Sequence, residues 1–287
     1  MTIDIEALRK WVGRTETAND VVSVFPVAAL SATLDRDDPR PRDGDSLPPL
    51  WHWLYFLPVY RHSEAGPDGH MRRGGFLPPV ALPRRMWAGS RVKFRRPLRV
   101  GDTIRRISTV ADITHKSGRS GDLVFVVVRH EVSADDGVAI AEEHDIVYRE
   151  APRGGASSGE PPQPGMPADS PAWERPVQPD PLLLFRYSAL TFNGHRIHYD
   201  RSYVTEVEGY PGLVVHGPLL ATLMVDLVRR ERPDAVVTAF RFRALRPVFD
   251  IAPFTVCGAP DLSGREVALW VRGADGARAM EGSATLA

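Results

Sequence analysis

The apolar positions along this chain fall into two different rhythms. Two-residue alternation of β-branched and aromatic side chains marks strands over 91–97, 102–113, 123–132 and 138–148, and again over 236–243, 254–258, 267–271 and 278–285. Helical spacing marks 3–12 and 20–34, although Pro26 interrupts the second, and an unbroken apolar run marks a helix over 218–230. The stretch from Phe185 to Phe192 reads as a further strand. Residues 47–57, with Trp51, Trp53, Tyr55 and Phe56, are densely aromatic and read as core, with the lining of a substrate pocket as the sharper alternative. Residues 60–75 are polar and glycine-rich and read as a mobile loop, and Asp135-Asp136-Gly137 reads as a hairpin turn.

Between the two groups of strands, residues 151–180 are rich in Pro, Gly and Ser and poor in aliphatic side chains, so they read as a linker. The chain on either side repeats itself. Phe94-Arg95 precedes Val100 and Asp102 at the offsets at which Phe242-Arg243 precedes Val248 and Asp250. Val128-Arg129 with Asp135-Asp136-Gly137 parallels Val271-Arg272 with Ala274-Asp275-Gly276. Each half is therefore expected to supply an antiparallel sheet of the same strand order, over 1–150 and 181–287. The long helix of the first half has no clear place in the sequence.

Chemistry concentrates between Tyr187 and Arg230. The cluster Asn193-Gly194-His195-Arg196-Ile197-His198-Tyr199-Asp200 precedes His216-Gly217-Pro218, where the apolar helix begins. An imidazole titrates near neutrality and suits general-base work, and the free N–H groups of a helix start suit an oxyanion. This arrangement resembles the hydratase motif of the MaoC-like, (R)-specific enoyl-CoA hydratases, Asp-x-Asn-Pro-x-His followed by a His-Gly helix start. Here His198 falls on the motif histidine and Gly217 on the helix-start glycine, while Asn193, His195 and Arg196 replace its aspartate, asparagine and proline. Together with Gly75-Phe76-Leu77-Pro78-Pro79 and Arg84-Arg85-Met86-Trp87-Ala88-Gly89, the pattern is similar to the branch containing hydroxyacyl-thioester dehydratases type 2 and mesaconyl-CoA hydratases.

The resemblance implies an α+β tandem (double) hotdog, in which antiparallel sheets each wrap a central helix. It implies reversible hydration of 2-enoyl thioesters on CoA or an acyl carrier protein, with no cofactor and no metal. His198 is then expected to carry the proton transfers, with Asn193 orienting water beside it and Gly217 donating to the enolate oxygen. His195, Tyr199, His216, Arg241 and Arg243 are candidate substrate-binding residues, and Arg84, Arg85 and Arg246 are further candidates for CoA phosphates. Blander roles stand beside these: Asn193 as a turn former, His216 as a brace at the helix start, and each arginine as a surface charge. Zinc on His195, His198 and His216 is a weaker alternative. A first half without this motif is expected to be catalytically silent. A hotdog thioesterase and a non-catalytic acyl-thioester-binding module are the rival functions.

Composition narrows the partners. Lys+Arg and Asp+Glu both number 36, which gives no basic surface for nucleic acid or anionic membrane. The one cysteine, Cys257, excludes an internal disulfide. The acidic start, Met1-Thr2-Ile3-Asp4-Ile5-Glu6, lacks the features of a targeting segment, and no apolar run reaches membrane-spanning length. A cytoplasmic enzyme is the expectation, and a homodimer on general grounds.

Overall fold

The computed structural model describes residues 3–287 except 73, 119–120, 136 and 151–169. A short helix, α1 (Ile5–Arg9), precedes strand β1 (Thr15–Val21) and helix α2 (Val24–Thr33). Strands β2 (Arg84–Phe94), β3 (Thr103–Gly118), β4 (Gly121–Ala134) and β5 (Gly137–Arg149) follow. The second series runs β6 (Trp173–Val177), α3 (Pro181–Leu190), α4 (Gly217–Glu231), β7 (Val237–Ala244), β8 (Phe254–Pro260), β9 (Glu266–Arg272) and β10 (Arg278–Leu286). All ten strands form one antiparallel sheet in the order β1-β3-β4-β5-β2-β7-β10-β9-β8-β6. Read outward from the centre, each arm repeats the other: β2 matches β7, β5 matches β10, β4 matches β9, β3 matches β8 and β1 matches β6.

The expected repeat is present, but its register differs by two residues from the one the Phe-Arg pairs predict. Arg95 and Arg96 donate their backbone N–H groups to Ala139 O, and Leu245 and Arg246 donate theirs to Ala279 O. Leu47 N–H donates to Leu98 O at 2.7 Å, and Val215 N–H to Val248 O at 2.8 Å. Arg96-Pro97-Leu98 is thus the counterpart of Arg246-Pro247-Val248, and Phe94 that of Ala244. Likewise Val271, paired with Met280, matches Val132, paired with Ile140, and not Val128.

This register also locates the missing helix. Position 216 matches Pro48 and position 217 matches Pro49. Where His216-Gly217 opens α4, the first arm has two prolines, Leu50 at φ 69° and a single 3-10 turn over Trp51–Leu54. A proline pair followed by a left-handed residue stops helical propagation. The aromatic stretch is core, as expected: Trp51, Tyr55 and Phe56 are buried. Glu142 on β5 is buried beside it, accepting from Trp53 Nε1, Ser90 Oγ, His52 Nε2 and His144 Nε2 at 2.7–3.2 Å. Burial pushes this carboxyl up, but the two histidines outweigh it and hold it well below the usual range.

Three expectations need correction. Residues 15–21, including Asp20 and Val21 from the supposed second helix, form β1, and the helix begins only after Ser23, so Pro26 falls in its first turn where no N–H is missed. Residues 185–190 belong to helix α3, which Asp180 caps through Leu183 N–H and Pro181 opens. The supposed linker lies outside the described residues over 151–169, and its far end is not linker: 173–177 is an edge strand paired with β8, where Pro176 is tolerated.

Helix α4 lies in the concavity of the second arm, with every residue from Leu219 to Val228 buried. Each buried aliphatic there contributes about 1.5–3 kcal/mol of burial free energy. The join between the arms is the β2–β7 ladder. A Cβ on Gly89 would lie 2.4 Å from Phe242 O, so only glycine allows the backbones to meet there. Among the described residues, no helix is long and apolar enough to cross a membrane.

Candidate functional site

The site forms where α3, the loop after it and the start of α4 converge, beneath a loop from the first arm. Asn193 N–H donates to Ser188 O at the end of α3, and Asn193 Oδ1 accepts the His195 N–H at 3.0 Å. This is an asparagine turn, so the oxygen of Asn193 spends one of its two lone pairs on the loop, and the other lone pair and the NH2 remain to orient water. A 3-10 turn over Arg196–His198 then carries His198 inward, to 7 % exposure. Its Nδ1 lies 2.7 Å from Val214 O, which fixes the proton there and leaves the Nε2 lone pair available. Burial pushes the His198 pKa down to about 4, against the opposing effect of the Val214 carbonyl.

His216 occupies the N-cap of α4 and is also buried. Its ring stacks on His198 at 3.7 Å with 18° between planes, and its Nε2 meets Ser188 Oγ at 2.8 Å. The bracing role therefore describes His216 well. Gly217 is the first residue of α4, where the N–H has no intrahelical acceptor. A Cβ placed on Gly217 would meet nothing within 4 Å, so the space beside this N–H is open. Helix geometry aims several such donors and the positive end of the dipole at that space.

The remaining candidates divide. His195 touches His198 edge-on, with centroids 5.5 Å apart. Burial, then the charges of His70 and His198, lower its pKa to about 2. Tyr199 is exposed, and its hydroxyl donates to Gly194 O, which places it as a fastener of the loop. Arg241 and Arg243 alternate with the core residues Phe240 and Phe242 on β7, so both project from the opposite face of the sheet. There they bond Ser283 Oγ and Glu281, and the structure does not bring them to the histidines. Arg84 engages Tyr210 and Glu208, and Arg246 pairs with Asp275.

The structure adds residues that sequence reasoning missed. The part of the expected mobile loop over 60–69 is pinned across the site: Tyr60 Oη donates to Gly69 O, Arg196 N–H to Asp68 O and the Arg196 guanidinium to Pro67 O. His70 stacks against His195 at 4.0 Å and pairs with Asp68. Ser188 was hidden because its helix reads as a strand. The proposed zinc set, His195, His198 and His216, is not the grouping whose ligand atoms converge. Asp68, His70 and His195 do converge, to within 4.8 Å, but Asp68 spends one oxygen on the His70 N–H and the other on its ring.

Four depressed histidines make stability pH-dependent. His195, His198, His216 and, in the first arm, His130 (about 3) are pushed down chiefly by burial. Unfolding frees each to bind a proton near its ordinary 6.5, so their contribution is complete above that pH and is lost as pH falls through the folded values. His198 alone accounts for on the order of 3 kcal/mol. Calorimetry is expected to show Tm falling steadily from pH 7 to pH 5, and a flat Tm would contradict this burial.

Comparison with known proteins follows the same outline. The profile of the hydroxyacyl-thioester dehydratase type 2 family matches residues 50–250. The chain is 47% identical over 276 residues to a mesaconyl-C(4)-CoA hydratase of Chloroflexus aurantiacus, covering 96% of each chain. A MaoC-like dehydratase from Phytophthora capsici superposes with TM-score 0.70 at 15% identity, covering 99% of both chains. A Mycobacterium tuberculosis protein described as a double hotdog fold superposes with TM-score 0.54 at 15% identity, covering 96% of both. The fold is a double hotdog.

Proposed function

Since this chain belongs to the hydroxyacyl-thioester dehydratase type 2 family, and is a hydro-lyase acting on acyl thioesters, we propose that His198 and Gly217 form its catalytic centre and that its substrate is a mesaconyl-type CoA thioester. The observation that carries the catalytic reading is the tautomer of His198. With Nδ1 held by Val214 O, Nε2 is a neutral base next to a helix start. In dehydration it takes the C2 proton of the 3-hydroxyacyl thioester, and the enolate oxygen that develops lies on the free N–H of Gly217. A positioned base of this kind contributes roughly a hundred- to ten-thousandfold, and one oxyanion donor about 3 kcal/mol. The stacked His216 ring and Ser188 keep the base from turning. Asn193 shapes the loop and offers its NH2 to water.

A dicarboxylic acyl group is supported by the 47% identical relative and by Arg85. The charge of Arg85 acts on His195, and the guanidinium has no ion-pair partner among the described residues. Such a cation suits the free carboxylate of a mesaconyl group. The same proposal divides the chain at the repeat, 1–150 and 181–287, with the hydration motif in the second part, and takes the enzyme to be a cytoplasmic homodimer needing no cofactor.

Incubation with a panel of enoyl-CoAs, analysed by mass, tests the reading. Gain of one water, fastest with mesaconyl-CoA, is the expected result. Release of free CoA would assign a thioesterase, and unchanged thioester a binding module. In short assays across pH, kcat/KM is expected to hold through pH 5 and fall tenfold per unit below about 4, because the base must be unprotonated. An acid limb near 6.5 would contradict a buried His198.

A further inference from the structure

The hydration chemistry needs a second proton-transfer group, to serve the hydroxyl that leaves C3 or arrives there. Asn193 cannot ionise, and its oxygen already accepts the His195 N–H. The first arm supplies an ionisable substitute at the same place. Asp68-Gly69-His70 has the form of Asn193-Gly194-His195 with the carboxylate restored, and the two tripeptides are in direct contact.

The contact runs through the glycines and the histidines. A Cβ on Gly69 would lie 1.9 Å from Gly194 O, and one on Gly194 would lie 2.7 Å from Gly69 O. The two glycines therefore meet backbone to backbone, and neither tolerates a side chain. The histidines that follow them stack at 4.0 Å with 34° between rings. The residues before them differ by carboxylate against amide. Asp68 Oδ1 accepts the His70 N–H at 3.1 Å, and Oδ2 accepts from His70 Nδ1 at 3.3 Å. The hydrogen bond from His70 keeps Asp68 ionised, at about 2, against the effect of burial.

We propose that Asp68 and His70, delivered by the first arm, form the second proton-transfer group of the site, with His70 the catalytic residue and Asp68 its positioning partner. This rests on the hydro-lyase reading above and makes the first arm a contributor to catalysis. In dehydration, His198 Nε2 takes the C2 proton and the C–H electron pair becomes the C2–C3 π bond. The C3–O bond breaks, and the departing oxygen takes a proton from His70 Nε2 and leaves as water. Solvent then removes the proton from His198 and returns one to His70, and hydration runs the same steps in reverse. An ionised carboxylate on Nδ1 stabilises the imidazolium that this cycle requires. The other charged or titratable groups around the Asp68–His70–His195 cluster are His198, Arg85 from β2, Tyr60 on the same loop, Tyr203, and Arg196, which Asp200 neutralises.

The test uses Asp68→Asn, His70→Gln and the double variant Asp68→Asn with Asn193→Asp. Each single variant is expected to lower kcat at least about a hundredfold with KM within about threefold, and to remove one ionisation from the kcat profile. The double variant, which moves the carboxylate from one tripeptide to the other, should recover at least tenfold over Asp68→Asn. In D2O, His70→Gln should still exchange the C2 proton of the 3-hydroxyacyl-CoA while elimination is slow, since His198 is intact. Single variants with kcat within threefold of wild type, exchange and elimination lost together, or a double variant no faster than Asp68→Asn would overturn the proposal. Wild-type turnover lost to a chelator and restored by zinc would overturn it in favour of a cation on Asp68, His70 and His195. A wild type that hydrates no enoyl-CoA would instead remove the underlying reading.

Discussion

His198→Gln lowers kcat by about a hundred- to ten-thousandfold while the protein keeps its fold. Glutamine can retain a hydrogen bond to Val214 O, so the 3-10 turn over Arg196–His198 survives, but no atom remains that can take a proton at neutral pH. Loss of the buried imidazole also removes the group that burial holds near pKa 4, so the variant should lose less stability than wild type between pH 7 and pH 5. Steady-state kinetics and calorimetry on one preparation check both statements. Retention of more than about a tenth of the rate would be inconsistent with a general base of ordinary size.

The second large effect is structural. Asp226 projects from α4 with no side-chain exposure and meets Arg36 at 2.6 Å, Arg230 at 2.8 Å, Arg175 at 3.0 Å and Arg229 at 3.9 Å. Arg36 follows α2, Arg175 belongs to β6, and Arg175 and Arg230 also bond Leu34 O. One carboxylate thus ties the central helix to both arms. Asp226→Asn leaves Arg175 and Arg230 without a carboxylate and Arg36 and Arg229 with Asp38 alone, and should cost about 3–5 kcal/mol, the range for breaking a buried ion pair from one side. Urea unfolding measures it, and a change under about 1 kcal/mol would show that water compensates the arginines.

Much of this was legible beforehand because the signals were local. Val, Ile and Thr alternation placed seven strands close to their observed positions, and the His-Gly-Pro start of an apolar run placed α4; the expected strand over 91–97 caught only the end of β2, which begins at Arg84 and stops at Phe94. What failed had local signals that competed. Phe185 and Tyr187 in α3, with Phe192 just beyond it, gave this segment the aromatic content of a strand, while its Asp180-Pro181 start was absorbed into a proline-rich stretch. Strand β6 is five residues long and contains Pro176, so it carries little alternation to detect. The repeat was detected two residues out of register because Phe-Arg recurs by coincidence, whereas Arg-Pro followed by an aliphatic residue marks the true correspondence. His70 had no periodicity or conventional motif to mark it. Its one trace was the echo of Asn-Gly-His in Asp-Gly-His, which gains meaning only when Gly69 and Gly194 are seen in contact.

The seam between β2 and β7 sets a schedule for biosynthesis. Strands β1 to β5 are complete once Arg149 has been made, and they leave the eleven-residue β2 as an open border. Its partner β7 ends only at Ala244, so at ribosomal speed the border waits about 5–20 seconds. Through that interval its unpaired N–H and C=O groups can accept a strand from any neighbouring nascent chain. Gly89, which lets β7 approach so closely, also leaves the border with no side chain there to repel a wrong partner. Slow synthesis or crowded polysomes should therefore penalise yield, and holding chaperones should act on the first arm before the second exists.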